Sequence, residues 1–237
     1  VLYTKVVDHN GNILLSNTQK GKRVMKESTA FLLTDAMKDV ITKGTGKSAK
    51  LSSSMAVAGK SGTTSNSYDY WFSGYTPYHT ASVWMGYDKN TNFASDNTHK
   101  KIWAKVMNEI IKTKQEQTTD FKKPADIVKA KVCKESGKLA IKEVCDHDPR
   151  GSRVITEYFE KGTVPTQTCD IHVAVEVCKT SDKLATKNCP ANKKQRKIYI
   201  VRKKGSHGKT ADTPYMLPKK YQSVFCCLLY TSPSPRD

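Results

Sequence analysis

Met55-Ala56-Val57-Ala58-Gly59-Lys60-Ser61-Gly62-Thr63-Thr64 is an apolar run that turns polar without losing a strand pattern. No proline interrupts it, and Gly62 lets a second backbone come close. Ser61 and Thr63 fall at alternate positions, so a strand here puts both hydroxyls on one face and Lys60 on the other. A strand edge with hydroxyls, a lysine and no bulk suits an extended peptide ending in a carboxylate, held by main-chain hydrogen bonds.

Working outward, two more strand runs follow, Tyr70–Tyr75 and Thr80–Tyr87. Thr76-Pro77-Tyr78-His79 between them is short enough for an antiparallel connection. Met55–Thr63, Tyr70–Tyr75 and Thr80–Tyr87 are therefore predicted as neighbouring antiparallel strands. Upstream, Ser28 is expected to cap a helix over 28–43, with Leu33, Met37, Val40 and Ile41 on one face and Gly44 as a left-handed stop. Downstream, a helix over 98–113 carries an apolar stripe of Ile102, Trp103, Val106, Met107, Ile110 and Ile111. Val1 to Leu15 reads as a hairpin around Asn10-Gly11. Helix, three strands and helix predict an α+β fold, an antiparallel sheet flanked by helices.

The chain has 237 residues and a formal charge of +18, with 37% apolar residues. That apolar share is below the usual ~45–50%, so one core does not extend through the whole chain. Residues 1–120 hold 16 basic and 10 acidic side chains; residues 121–237 hold 24 and 12. All seven cysteines lie in the second half, from Cys133 onward. There Val132-Cys133-Lys134-Glu135-Ser136-Gly137-Lys138-Leu139-Ala140 repeats as Val177-Cys178-Lys179-Thr180-Ser181-Asp182-Lys183-Leu184-Ala185, and each copy reaches a second cysteine, Cys145 or Cys189. The expected division is 1–114 for the α+β part, 115–128 as a linker, 129–205 as a cysteine-containing β-rich repeat extension, and 206–226 as a basic tail. Residues 227–237, Cys-Leu-Leu-Tyr-Thr-Ser-Pro-Ser-Pro-Arg-Asp, read as a translated sequencing adapter. No apolar run approaches the ~18 residues of a membrane-spanning helix.

Three other patterns were weighed. Gly44-Thr45-Gly46-Lys47-Ser48 mimics a phosphate loop, but Ile41 stands where its first glycine belongs, and it follows a helix. The +18 charge accompanies no nucleic-acid-binding motif, so no nucleic-acid partner is expected. Cys145, His147, Cys169 and His172 offer two sulfurs and two imidazoles to zinc, without the usual short Cys-to-Cys gap. The expectation is therefore no metal and no cofactor.

Lys60-Ser61-Gly62 resembles the Lys-Thr/Ser-Gly box of penicillin-binding proteins, the serine D,D-transpeptidases that cross-link peptidoglycan. Gly44-Thr45-Gly46, Ala58 to Thr64, Asp69 to Pro77 and Val83 to Asp88 follow the order of the bifunctional, class A members. The resemblance covers roughly residues 1–112. It implies that Lys60 assists charge and proton transfer, that the Thr63 N–H is an oxyanion donor, and that Ser61, Gly62, Thr63 and Thr64 hold the substrate. The implied ligands are stem peptides and β-lactams. The family's Ser-x-x-Lys and Ser-x-Asn boxes do not precede Lys60; Ser95-Asp96-Asn97 and Ser206-His207-Gly208-Lys209 match literally, but in the wrong order. The chain thus reads as a C-terminal fragment, inactive alone, of a membrane-anchored parent that also carries a glycosyltransferase. Its expected location is the extracytoplasmic face of the bacterial cytoplasmic membrane. There the repeat suggests disulfides Cys133–Cys145 and Cys178–Cys189. The alternative is a non-catalytic extracytoplasmic module whose basic surface binds anionic wall polymers.

Overall fold

A computed structural model describes residues 3–17, 21–202 and 210–226. The chain divides into two units, Val1–Ala125 and Asp126–Asp237. Residues 227–237 and the Ser206-to-Lys209 stretch lie outside the described residues.

In the first unit, β1 (Lys5–Val7) pairs antiparallel with β2 (Ile13–Ser16). The turn is set by Asp8, whose carboxylate accepts the Asn10 and Asn12 amides at 2.9 and 2.8 Å. Helix α1 spans Glu27–Thr42. Its start differs from expectation: Lys26 takes the cap position, and Ser28 is buried inside the first turn. Its end differs too. Gly44 does not have a positive φ. Glycine is required instead by crowding, because a Cβ at Gly44 would lie 3.0 Å from Val40 Cα, and one at Gly46 would lie 2.9 Å from Ile41 Cδ1.

β3 (Ala58–Thr63), β4 (Asp69–Tyr75) and β5 (Thr80–Gly86) form an antiparallel sheet in the order β3-β4-β5. The expected strands are present, with β3 beginning at Ala58, not Met55. The β4–β5 connection is tied by Thr76, whose hydroxyl oxygen accepts the Tyr78 and His79 amides. Helix α2 (Thr98–Lys114) packs on this sheet. The core joins Phe72 of β4 to Trp103, Met107 and Ile111 of α2 and to Ile41, Leu51, Met55 and Val57. Phe72 meets Trp103 edge to face, with ring centroids 5.2 Å apart. The predicted helix stripes are only half used: Leu33, Ile102 and Val106 are exposed.

Residues 115–125 of the expected 115–128 linker lie against this unit. Ala56 N–H donates to Thr119 O at 3.1 Å, Lys38 pairs with Asp120 at 2.8 Å, and Phe121 meets Tyr75 edge on.

The second unit is two antiparallel hairpins. β6 (Ile127–Cys133) pairs with β7 (Val154–Glu160), and β8 (His172–Cys178) pairs with β9 (Lys194–Ile200). The repeat is structural. Cys133 N–H donates to Lys138 O and Cys178 N–H to Lys183 O, each at 2.8 Å. Part of the expected patternless basic tail belongs to this unit, with Asp212, Tyr221 and Cys226 all buried. Among the described residues, no helix is long and apolar enough to cross a membrane.

Candidate functional site

β3 is an edge strand: it pairs with β4, and among the described residues no strand pairs with its other side. The register sets the faces. Ser61 pairs with Phe72 and Thr63 with Tyr70, so both hydroxyl residues share the face that meets the α2 core. Lys60 pairs with Ser73 on the opposite face, as strand alternation requires. Lys60 and Thr63 are exposed, while Ser61 and Gly62 are half-buried. The Lys60 ammonium folds onto its own strand and donates to the carbonyl oxygen of the next residue, Ser61, at 2.7 Å.

Ser61 is held from outside the sheet. Its hydroxyl lies 2.9 Å from the Thr45 hydroxyl, in the Gly44-Thr45-Gly46 segment after α1. That segment is clamped in turn by Lys100 of α2, whose ammonium donates to Thr45 O at 2.8 Å and to Asn97 Oδ1 at 2.7 Å. Lys100 is only 7% exposed. Burial lowers its pKa, and the charge of Lys60 lowers it further. The sequence reading missed Lys100, because a lysine in a basic helix carries no local signal of burial.

Thr64 is committed to structure. Its hydroxyl donates to Asp69 Oδ2 at 3.1 Å and accepts the Asp69 amide at 2.9 Å, while Trp84 Nε1–H donates to Asp69 Oδ1 at 2.9 Å. Ser95 also has local work: its hydroxyl accepts the Asn97 amide at 3.2 Å and meets His99 Nδ1 at 3.2 Å. A cavity of about 710 Å³, lined by Lys38, Ile41, Leu51, Met55 and Asp120 among others, includes none of residues 60–64. Residues 60–64 thus lie on an open edge and not in the wall of that cavity.

The cysteines converge differently from the expected pairs. Cys133 does lie near Cys145, and Cys178 near Cys189, but neither place holds a pair alone. Cys169 joins the first pair and Cys226 the second. Where the repeat suggested two sulfurs, three meet at each place. The first group also contains His172, and its four ligand atoms lie within 4.8 Å of one another, all buried. His147 stands apart, exposed and paired with Asp146 at 3.3 Å. Burial pushes the Cys145 thiol up to about 12, with the neighbouring thiols adding to the shift. Against the upward push of burial, hydrogen bonds from Ser136 and from the His172 and Ile171 amides bring Cys169 down to about 6.

The edge strand β3 lies in a stretch that belongs, by comparison, to a penicillin-binding transpeptidase domain. Residues 2–112 match the penicillin-binding protein transpeptidase domain, and residues 123–174 match the C-terminal domain of penicillin-binding protein 1A. The chain belongs to the penicillin-binding protein 1A family. It is 36% identical over 223 residues to penicillin-binding protein 1A of Clostridium botulinum strain Hall, an alignment covering 92% of this chain and 26% of that protein. It is 37% identical over 179 residues to the Clostridium perfringens protein of that name, covering 74% of this chain and 21% of the other. Penicillin-binding protein 1A/1B of Bacillus subtilis is 32% identical over 180 residues, covering 69% of this chain and 19% of that one. A crystal structure of Haemophilus influenzae penicillin-binding protein 1A aligns with a TM-score of 0.48 at 22% identity, over 70% of this chain and 29% of that one. The chain spans about a quarter of the length of the curated relatives it matches.

Proposed function

We propose that the first unit is the substrate-holding part of a peptidoglycan D,D-transpeptidase, with β3 pairing to a stem peptide or to the β-lactam that imitates it. The observation that carries this reading is the position of β3, at the edge of its sheet with Lys60 and Thr63 exposed. Main-chain pairing along that edge supplies affinity, and the side chains supply the choice of ligand. Ser61 and Thr63 take the carboxylate, Gly62 keeps the approach unobstructed, and the Thr63 N–H donates to the oxyanion. Lys60 supplies positive charge beside the serine of the Ser-x-Asn box and assists proton transfer. Thr64 anchors the end of the strand through Asp69.

The nucleophile belongs to the Ser-x-x-Lys box, which has no match before Lys60 in this sequence. Covalent catalysis needs that serine within hydrogen-bond reach of its base, about 2.6–3.2 Å. The 237 residues alone are therefore inactive. The active protein is a longer, bifunctional chain, also a glycosyltransferase, anchored in the cytoplasmic membrane and working on its outer face.

Labelled penicillin tests this reading. The 237-residue chain should take up no covalent label. A longer chain carrying Ser-x-x-Lys and Ser-x-Asn in frame should label at the Ser-x-x-Lys serine, and Lys60→Ala in that chain should slow acylation. Stoichiometric labelling of the short chain at Ser95 or Ser206 would overturn the assignment.

A further inference from the structure

We propose that Cys133, Cys145, Cys169 and His172 form a structural zinc site in the second unit. The proposal is independent of the transpeptidase reading and rests on four observations.

The first is ligand geometry. His172 Nδ1 lies 3.4 Å from Cys133 Sγ and 3.3 Å from Cys169 Sγ. Zinc–sulfur bonds of about 2.3 Å and zinc–nitrogen bonds of about 2.0–2.1 Å place tetrahedral ligand atoms roughly 3.5–3.8 Å apart. These two spacings need only a small expansion to admit the ion, and all four ligand atoms lie within 4.8 Å of one another.

The second is the orientation of the imidazole. His172 Nε2 lies 2.6 Å from Asp148 Oδ2. That contact makes Nε2 the protonated nitrogen and leaves the Nδ1 lone pair facing the sulfurs. A carboxylate behind a histidine in this way fixes the tautomer and raises the basicity of the ligand. Asp148 is itself fixed: Arg150 donates to it from Nη2 at 2.7 Å, from Nε at 3.0 Å and from its amide at 2.7 Å.

The third is charge and enclosure. Three thiols lose their protons to solvent, so zinc with three thiolates and a neutral imidazole carries a net charge of −1. The Ile141 amide donates to Cys145 Sγ at 3.3 Å. Ala140, Ile141, Val154 and Ile171 close over the cluster. Four protein ligands leave no open position, which defines a structural and not a catalytic centre. Thiolate ligands select zinc over calcium and magnesium.

The fourth is the comparison between repeats. Leu139 forms a parallel bridge to Thr168 just before Cys169, and Leu184 forms one to Phe225 just before Cys226. Cys169 and Cys226 are therefore equivalent, as are Cys133 with Cys178 and Cys145 with Cys189. Among the described residues the second group offers three thiols and no histidine. The tight site is thus assigned to the first group alone.

The test uses the 237-residue chain, purified with reductant and without chelator. Zinc is counted by mass spectrometry of the metal after dialysis against a mild chelator. At least one retained equivalent is expected, and cobalt(II) in its place should give the visible bands of a tetrahedral thiolate site. Asp148→Asn should weaken zinc in competition with a chromophoric chelator by about 10–100-fold while preserving the cobalt spectrum. His172→Ala should lose the retained equivalent. Three outcomes would overturn the proposal. One is a folded chain that retains no zinc. Another is a Cys133–Cys145 disulfide found in the unreduced protein. The last is zinc retention indifferent to both substitutions. Should the variants fail to fold, X-ray absorption on the zinc-loaded parent chain decides: three sulfurs and one nitrogen support the site, and an oxygen-dominated shell excludes it.

Discussion

Thr45 and Ser61 share a 2.9 Å hydrogen bond between their hydroxyls, which joins the loop after α1 to the edge strand β3. On the proposed reading Ser61 meets a carboxylate, and the bond to Thr45 fixes where its hydroxyl points. Thr45→Val keeps the side-chain shape and removes the bond. In a longer chain that is acylated by penicillin, this change should lower the acylation rate about two- to tenfold, the kinetic equivalent of roughly 0.5–1.5 kcal/mol for one hydrogen bond. Stopped-flow acylation would measure it, and an unchanged rate would remove Thr45 from the site.

Lys100 clamps the same loop from α2. Lys100→Met keeps the aliphatic stem but strands the Thr45 carbonyl and the Asn97 amide oxygen, both bound in the native fold. The expected loss is about 1–3 kcal/mol. Urea unfolding of the first unit should show it as a lower midpoint with an unchanged slope.

His99 is buried beside Tyr70 and Ser95, with Lys100 next to it in sequence. Burial lowers its pKa below 6.5, and the Lys100 charge lowers it further, while Asp96 acts in the opposite sense. The unfolded chain therefore binds a proton at a pH where the folded chain does not. This contribution is fully present above pH 6.5 and is lost as the pH falls through that value towards the folded pKa. Stability measured from pH 8 to pH 5 should decline for the native chain and decline less for His99→Gln.

Gly59 lies where β3 crosses the core. A Cβ there would sit 2.7 Å from Phe72 Cζ and 2.9 Å from the Ser73 carbonyl oxygen. The ring has little room to retreat, because it abuts Trp103. Gly59→Ala should cost about 1–3 kcal/mol through overpacking, seen as a lower melting temperature. The same change at Gly62, whose Cβ would meet only Trp71 Cβ at 3.4 Å, should be milder.

The sheet was legible because its strands alternate cleanly and are punctuated by Thr76-Pro77 and by the polar run after Thr63. The helices were legible in extent but not in face. Leu33, Ile102 and Val106 obey the periodicity yet remain exposed, since a repeat pattern says which residues share a face and not what covers it. Gly44 was misread because a glycine after a helix signals a left-handed turn, and close packing demands the same residue. The thiol clusters were half legible. The repeat aligned Cys133 with Cys178 and Cys145 with Cys189, but the third member arrives after unequal gaps, from Cys145 to Cys169 and from Cys189 to Cys226. Only the bridges at Leu139 and Leu184 reveal that those cysteines correspond. Of the two Cys/His pairs the sequence offered, Cys169 with His172 meets in the cluster, while His147 stays exposed beside Asp146.

His172 is the first residue of β8, so it belongs by chain order to the second hairpin while its ring completes the cluster of the first. The two copies are consequently not interchangeable beads. The first copy takes His172 from the second, and among the described residues the second cluster takes nothing from the first. A truncation after Ile171 would leave a hairpin with three thiols and no imidazole, even though every strand of that hairpin was intact. Any recombination of these modules must therefore cut beyond the start of β8, or the excised half leaves its fourth corner behind.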